Sequence, residues 1–177
     1  IGCKNVYWLP SAAVNTKVHK KLGIPKKHDI TFVGSMTYRR KNILTALEKH
    51  FQIFTPNIWD NKEINEVFNE SKIVLNIHLS DLPNIETRIG EVLGSGSFLL
   101  TEELSSQDLF ADGEHLVQWH KGDIDDLIKQ IQYYLFHEDE RERIATNGHH
   151  FVRKHHTFAK RMHQLLSVID FNQNKSN

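Results

Sequence analysis

The sequence predicts an α/β fold: a Rossmann-like doubly wound parallel sheet flanked by helices, with extra C-terminal helices. Three observations predict it. Short β-branched or apolar runs alternate with helical periodicity about five times along the chain. The run Ile73-Val74-Leu75-Asn76-Ile77 is almost continuously apolar, as suits a parallel-sheet strand covered on both faces. From Asp123 onward the pattern is helical. A chain of 177 residues fits one domain and is long enough to bury a core. The division expected is a linker and lead-in segment over residues 1–28, the Rossmann-like domain with its C-terminal helices over 29–170, and a frayed polar tail over 171–177.

Each element has a local cause. Val6 to Leu9 reads as a short strand or linker ended by Pro10, and Thr16 to Gly23 as a loop or one helical turn. Asp29 to Ser35 is a β-branched strand stopped by Gly34. Arg39 to His50 places Ile43, Leu44 and Leu47 at helical spacing. Phe51 to Thr55 is a second strand, and Lys62 to Asn69 a short helix with Ile64, Val67 and Phe68 on one side. Ile73 to Ile77 is the third strand. Ile85 to Leu93 follows as a helix, Phe98 to Leu100 as a strand, Ser105 to Phe110 as a short helix, and Leu116 to Trp119 as a strand. Asp123 to Phe136 is strongly amphipathic through Ile124, Leu127, Ile128, Ile131 and Leu135, and Asp123, Asp125 and Asp126 mark its N-terminus. Three helical pieces close the chain: Glu138 to Asn147, His149 to His155, and Phe158 to Ile169.

Composition excludes several function classes. Lys+Arg and Asp+Glu both number 22, so no global field points at nucleic acid or a membrane surface. Apolar runs are too short for a transmembrane helix. A single cysteine, Cys3, rules out an internal disulfide framework and suits a reducing cytoplasm. Ile1 is not a natural initiator, so the expectation is a domain cut from a longer protein. No G-x-S-x-G elbow, H-E-x-x-H or G-x-x-x-x-G-K-[ST] occurs.

In doubly wound sheets ligands sit beyond the carboxyl ends of the strands, near the topological switch point. The loops to inspect are Gly34 to Arg40, Thr55 to Asp60, His78 to Glu86 and Thr101 to Ser105. In the first, Gly34 permits close backbone approach, and Ser35 precedes a helix start carrying Arg39, Arg40 and Lys41. Basic residues there oppose the helix dipole, so a bound anion would explain them; the competing reading is a solvated basic helix start. From Asn84 to Gly96, Ile85, Ile89, Val92 and Leu93 form the buried stripe, while Arg88, Glu91 and Ser95 share another face. Arg88 can reach a phosphate and Glu91 can accept two ribose hydroxyls; the alternative is an ordinary surface ion pair. Gly94 and Gly96 are expected to end the helix and pack closely into the next strand. Of twelve histidines, His149, His150, His155 and His156 read with Arg153, Lys154, Lys160 and Arg161 as a solvated face, and His78 as either a ligand-edge or a structural histidine. No metal site is expected.

Three stretches taken together resemble a known family: Ile73 to Ile77, Asn84 to Leu100, and Asp108 to Leu116. So do Tyr133 to Leu135, Glu140 to Ala145, Asn147-Gly148, and His156-Thr157-Phe158 with Arg161. The chain resembles the C-terminal domain of group 1 glycosyl transferases of the GT-B fold, with the spore-maturation (CgeB-like) branch nearest. The resemblance implies transfer of a sugar from a nucleotide diphosphate sugar to an acceptor, with no required cofactor. It also implies an N-terminal acceptor domain in the same protein. It places Glu91 on the ribose, and Gly34, Ser35, Arg39 or Arg40, and Arg88 near the diphosphate. Many relatives carry a second glutamate eight positions before the first, where Pro83 stands here; Asp81 or Glu86 are the acids closest to substituting, at unmatched spacing. No residue is singled out as a catalytic acid or base. A degenerate, noncatalytic nucleotide- or protein-binding module is the alternative; a receiver-like signalling domain is set aside because the third strand ends Asn76-Ile77-His78 rather than in a phosphoacceptor aspartate.

Overall fold

A computed structural model describes residues 6–82, 84–105 and 109–174, the side chains of 170–174 excepted. Five strands form one parallel sheet in the order β2-β1-β3-β4-β5: β1 (His28–Phe32), β2 (Ile53–Phe54), β3 (Ser71–Asn76), β4 (Leu99–Glu102) and β5 (Val117–Trp119). The helices are α1 (Tyr38–Leu47), α2 (Asn61–Asn69), α3 (Thr87–Gly94), α4 (Ile124–Phe136), α5 (Glu138–His155) and α6 (Phe158–Asn174). The strand order reverses between β1 and β3, which fixes the switch point where such sheets bind ligands.

The period-2 alternation of the strands sorts the core into two layers. Ile30, Phe32, Ile73, Leu75 and Leu100 face Leu44 and Leu47 of α1 and Leu127 and Ile131 of α4. Val74 and Leu99 face Ile64 and Phe68 of α2, Ile89, Val92 and Leu93 of α3, and Val152 of α5. Side-chain caps start three of the helices: Thr37 accepts from the Arg40 amide at 3.3 Å, Asp60 from the Lys62 amide at 2.9 Å, and Asp123 from the Asp126 amide at 2.9 Å. Each satisfies an orphan N–H of the first turn.

Several expectations change. The two pieces Glu138 to Asn147 and His149 to His155 are one continuous helix, α5. Gly148 interrupts the sequence pattern, but its missing side chain is what the packing requires: a Cβ there would lie 2.2 Å from the His115 carbonyl oxygen. The helix expected over Ser105 to Phe110 does not form at Ser105, Leu109 or Phe110, and 106–108 lie outside the described residues. The last helix passes Ile169 and runs to Asn174.

Residues 11–22, ahead of β1, pack as a strap across α2 and α3. Val14 bridges Thr157, Ser11 donates to the Ile85 carbonyl, and the amides of Lys20 and Leu22 donate to Asn65 and Asn69 at 2.9 and 2.8 Å. The strap lies on a bare helix face. A Cβ on Gly90 would come 2.8 Å from the Ala13 carbonyl oxygen, and one on Gly94 2.2 Å from Val14 Cγ2. The close approach at Gly94 is thus to the strap rather than to the next strand. Gly96 has φ +71° and faces Lys21.

The histidine-rich stretch is not wholly solvated either. His156 is 6 % exposed and Arg161 is also buried. His156 packs against the rings of Phe110 and Phe151, its carbonyl accepts the Val14 amide at 2.8 Å, and Arg161 reaches the Pro10 carbonyl at 3.1 Å. The returning strap buries them.

Candidate functional site

At the carboxyl edge of the sheet, over the switch point, lies a crevice of about 490 Å³. Its floor comes from the ends of β1 (Gly34, Ser35) and β3 (Asn76), one wall from Glu86, Thr87 and Arg88 at the start of α3, and its rim from Trp59, Leu79 and Leu82. The free N–H groups of a helix start favour an anion. Asn76 is locked by donating to Thr101 Oγ1 at 3.0 Å.

Six of the eight residues expected from the sequence meet here. Gly34, Ser35, Arg40, Glu86 and Arg88 line the crevice, and His78 lies buried behind it. A Cβ on Gly34 would crowd Arg40 Nη1 and the Phe32 ring, each at 3.3 Å. Arg40 stacks over Phe32, 5.3 Å from the ring centroid, and donates to the carbonyls of Ile77 (2.9 Å) and Ser35 (3.1 Å). It therefore ties the β1 and β3 loops together and brings one positive charge to the floor. Arg88 pairs with Glu91 at 2.8 Å and lies 5.3 Å from the Phe68 centroid.

Arg39 and Glu91 stand outside the crevice lining. Arg39 donates to Asp81 Oδ1 at 2.7 Å and to the His78 carbonyl at 3.2 Å, and is ion-paired with Glu102. Glu91, one turn beyond Arg88, is within electrostatic reach of the strap's buried His19.

Glu86 serves as N-cap residue of α3 without capping it through its side chain. Its carboxylate instead accepts the Leu79 amide at 3.3 Å and lies 3.6 Å from His78 Nδ1 and 3.9 Å from Arg40. His78 Nε2 meets the Glu103 carbonyl at 2.9 Å. Burial is the largest influence on His78 and presses its pKa down, but Glu86, the Glu103 carbonyl and Glu102 outweigh it and leave it above the ordinary value. Burial likewise raises Glu86, and His78, the Leu79 amide and Arg40 outweigh it, leaving Glu86 below the carboxylate range.

Sequence reasoning missed Glu102, Asn76 and Trp59 as site residues. Glu102 is 0 % exposed. Its signal was an acid two residues past the apolar run Phe98 to Leu100, at the edge where parallel strands present ligands. Among the described residues no group of three or more His, Cys, Asp or Glu side chains is placed to hold a metal ion, and no helix is long and apolar enough to cross a membrane.

The fold is that of a Rossmann-like half of a GT-B glycosyltransferase. Sucrose-phosphate synthase from Thermosynechococcus elongatus superposes with a TM-score of 0.71 at 10% identity, over 93% of this chain and 52% of that one. The HepE protein of Anabaena, solved with UDP and glucose, gives 0.63 at 14% identity, over 80% of this chain and 40% of that one. The C-terminal domain of the group 1 glycosyl transferase LpcC from Francisella tularensis gives 0.61 at 16% identity, over 82% of this chain and 100% of that domain. The chain thus spans about half, or less, of the two longer proteins. No curated protein matches it. The glycosyl transferase-like family matches residues 25–167, a span that holds all five strands and helices α1 to α5, and the chain belongs to that family.

Proposed function

We propose that this chain is the donor-binding domain of a glycosyltransferase of the group 1, CgeB-like type, and that the crevice over β1 and β3 receives the diphosphate of a nucleotide sugar. The observation that carries the reading is the convergence, at the switch point, of Gly34, Ser35, the start of α3, Arg40 and Arg88. Arg40 and Arg88 would stabilise the negative charge that grows on the departing nucleoside diphosphate. These cations do the neutralising, so no metal or other cofactor is required. The enzyme is of the hexosyltransferase type, its acceptor site belongs to an N-terminal domain of the same cytoplasmic protein, and this chain alone binds the donor but turns over poorly. The exposed apolar side chains of Tyr7, Trp8, Leu9, Phe158, Met162 and Leu166 support a second domain covering that face.

The test is nucleotide titration of the 177-residue chain with UDP, GDP and dTDP, followed by melting temperature. At 100 times the dissociation constant, binding adds about 2.7 kcal/mol. A shift with at least one nucleotide, weakened by Arg88→Ala and Glu91→Ala and unchanged by EDTA, is expected. No shift with any nucleotide overturns the reading, and loss of binding in EDTA overturns its metal-free part. A noncatalytic module is the second reading; it is favoured by Arg39, whose donors are engaged by Asp81, His78 and Glu102.

A further inference from the structure

The crevice has an asymmetry that assigns a role to a residue outside the diphosphate site. On the β4 side it is closed: the Glu102 carboxylate, Arg39 and His78 fill that flank with mutual hydrogen bonds. On the side of β2, the edge strand, it is bounded by Trp59 in the β2–α2 loop, and Trp59 is 73 % exposed. Leu79 and Leu82 of the β3–α3 loop, both largely exposed, also border the crevice. An indole and two leucines thus form an apolar rim on an otherwise polar cleft. Neighbouring strands lie about 4.8 Å apart, so the loop after β2 stands roughly 5–10 Å from the switch point, the span a ribose bridges between a phosphate and a base.

Resting on the donor-site reading above, we infer that Trp59 is the aromatic platform on which the nucleobase stacks, with Leu79 and Leu82 beside it. An indole face accepts any base, because every base has a π-face. Trp59 therefore contributes affinity without selecting the base.

The experiment measures calorimetric affinities of UDP, GDP, inorganic pyrophosphate and glucose 1-phosphate for the wild type, Trp59→Ala and Trp59→Phe. Trp59 is exposed, so both variants keep the wild-type melting temperature. Trp59→Ala is expected to weaken the nucleoside diphosphates by about 5- to 150-fold, the range spanned by loss of one base–aromatic stack. Pyrophosphate is unaffected, and Trp59→Phe retains most of the affinity. Intrinsic fluorescence gives a second readout. Of the three tryptophans, Trp119 is 1 % exposed and Trp8 lines a separate groove with Phe151, Arg161 and Leu165, so the quenching that a base stacked on Trp59 causes disappears in Trp59→Phe. Unchanged nucleotide affinity in Trp59→Ala overturns the platform. So does an equal loss for pyrophosphate, or a loss confined to glucose 1-phosphate, which would put the sugar on the indole. A wild-type chain that binds pyrophosphate but no nucleotide also overturns it. One that binds neither overturns the donor site itself.

Discussion

Arg39 and Glu102 form an ion pair at the carboxyl edge of the sheet, in which one carboxylate oxygen takes the guanidinium and the other accepts the His78 amide at 3.0 Å. A carboxylate with no exposed surface survives only when its lone pairs are matched, and here the first turn of α1 and the β3–α3 loop supply the donors. Glu102 thereby fixes the loops after β1 and β3 that frame the crevice. Glu102→Ala leaves the His78 amide without its acceptor and Arg39 with only the exposed Asp81 as ion-pair partner, and is expected to cost about 3 kcal/mol, read as a lower urea midpoint. Asp81, on the outer side of the same guanidinium, is largely exposed, and Asp81→Asn should leave that midpoint in place. Equal effects from the two would show that burial of Glu102 does not matter.

The strap and α3 make a second prediction. Val14 Cγ2 occupies the space a Gly94 side chain would need. Gly94→Ala should destabilise by about 1–3 kcal/mol through overpacking, despite the better helix propensity of alanine. Val14→Ala opens a cavity when made alone. Combined, the two changes should cost less than the sum of the single costs, by about 1 kcal/mol or more in a double-mutant cycle. Strict additivity would refute the contact.

The fold was legible because its signals are local. β3 is covered on both faces and reads as an apolar run, and α4 carries five apolar residues on one stripe beneath an aspartate cap. α5 was misread because Gly148 looks like a break from within the helix, whereas its reason, the His115 carbonyl against its Cα, lies 33 positions away. The site divided in the same way. Gly34, Ser35, Arg40, Glu86 and Arg88 flank strand ends and could be found by counting. Whether Arg39 faces a ligand or a carboxylate depended on Glu102, 63 positions on, and periodicity does not report such pairings. The strap was invisible for the same reason, since Ala13 and Val14 matter only through Gly90 and Gly94.

The His78–Glu86 pair predicts a titration. Interactions with Glu86, the Glu103 carbonyl and Glu102 hold His78 above its ordinary value against burial, so its protonated form stabilises the fold at low pH. That contribution is lost as pH rises through the folded-state pKa. Glu86 is held below the ordinary range, so its contribution is lost as pH falls through its own folded-state value. The β3–α3 loop is therefore held best between the usual carboxylate range and the raised histidine. A proton NMR titration should show the His78 imidazole titrating above about 6.5 and moving down in Glu86→Gln, while His120, raised by Asp126, stays where it is. An imidazole indifferent to that substitution would refute the coupling.

His156 behaves in the opposite sense. Arg161 donates to its Nδ1, which demands a neutral ring with that nitrogen as acceptor. Burial first, and Arg161 second, push its pKa down to about 4. The unfolded chain takes up this proton near 6.5, so the stability His156 confers is complete above that value. It is lost as pH falls towards 4, a change on the order of 2–3 kcal/mol. The consequence reaches the strap, because the His156 carbonyl accepts the Val14 amide and the Thr157–Val14 bridge follows it. Urea denaturation at pH 7, 5.5 and 4.5 should therefore show the wild type losing its advantage over His156→Gln as the pH drops. Glutamine offers an acceptor of similar reach and does not titrate, so its curve lacks this component. Parallel curves across the three pH values would place the acid sensitivity of this fold elsewhere.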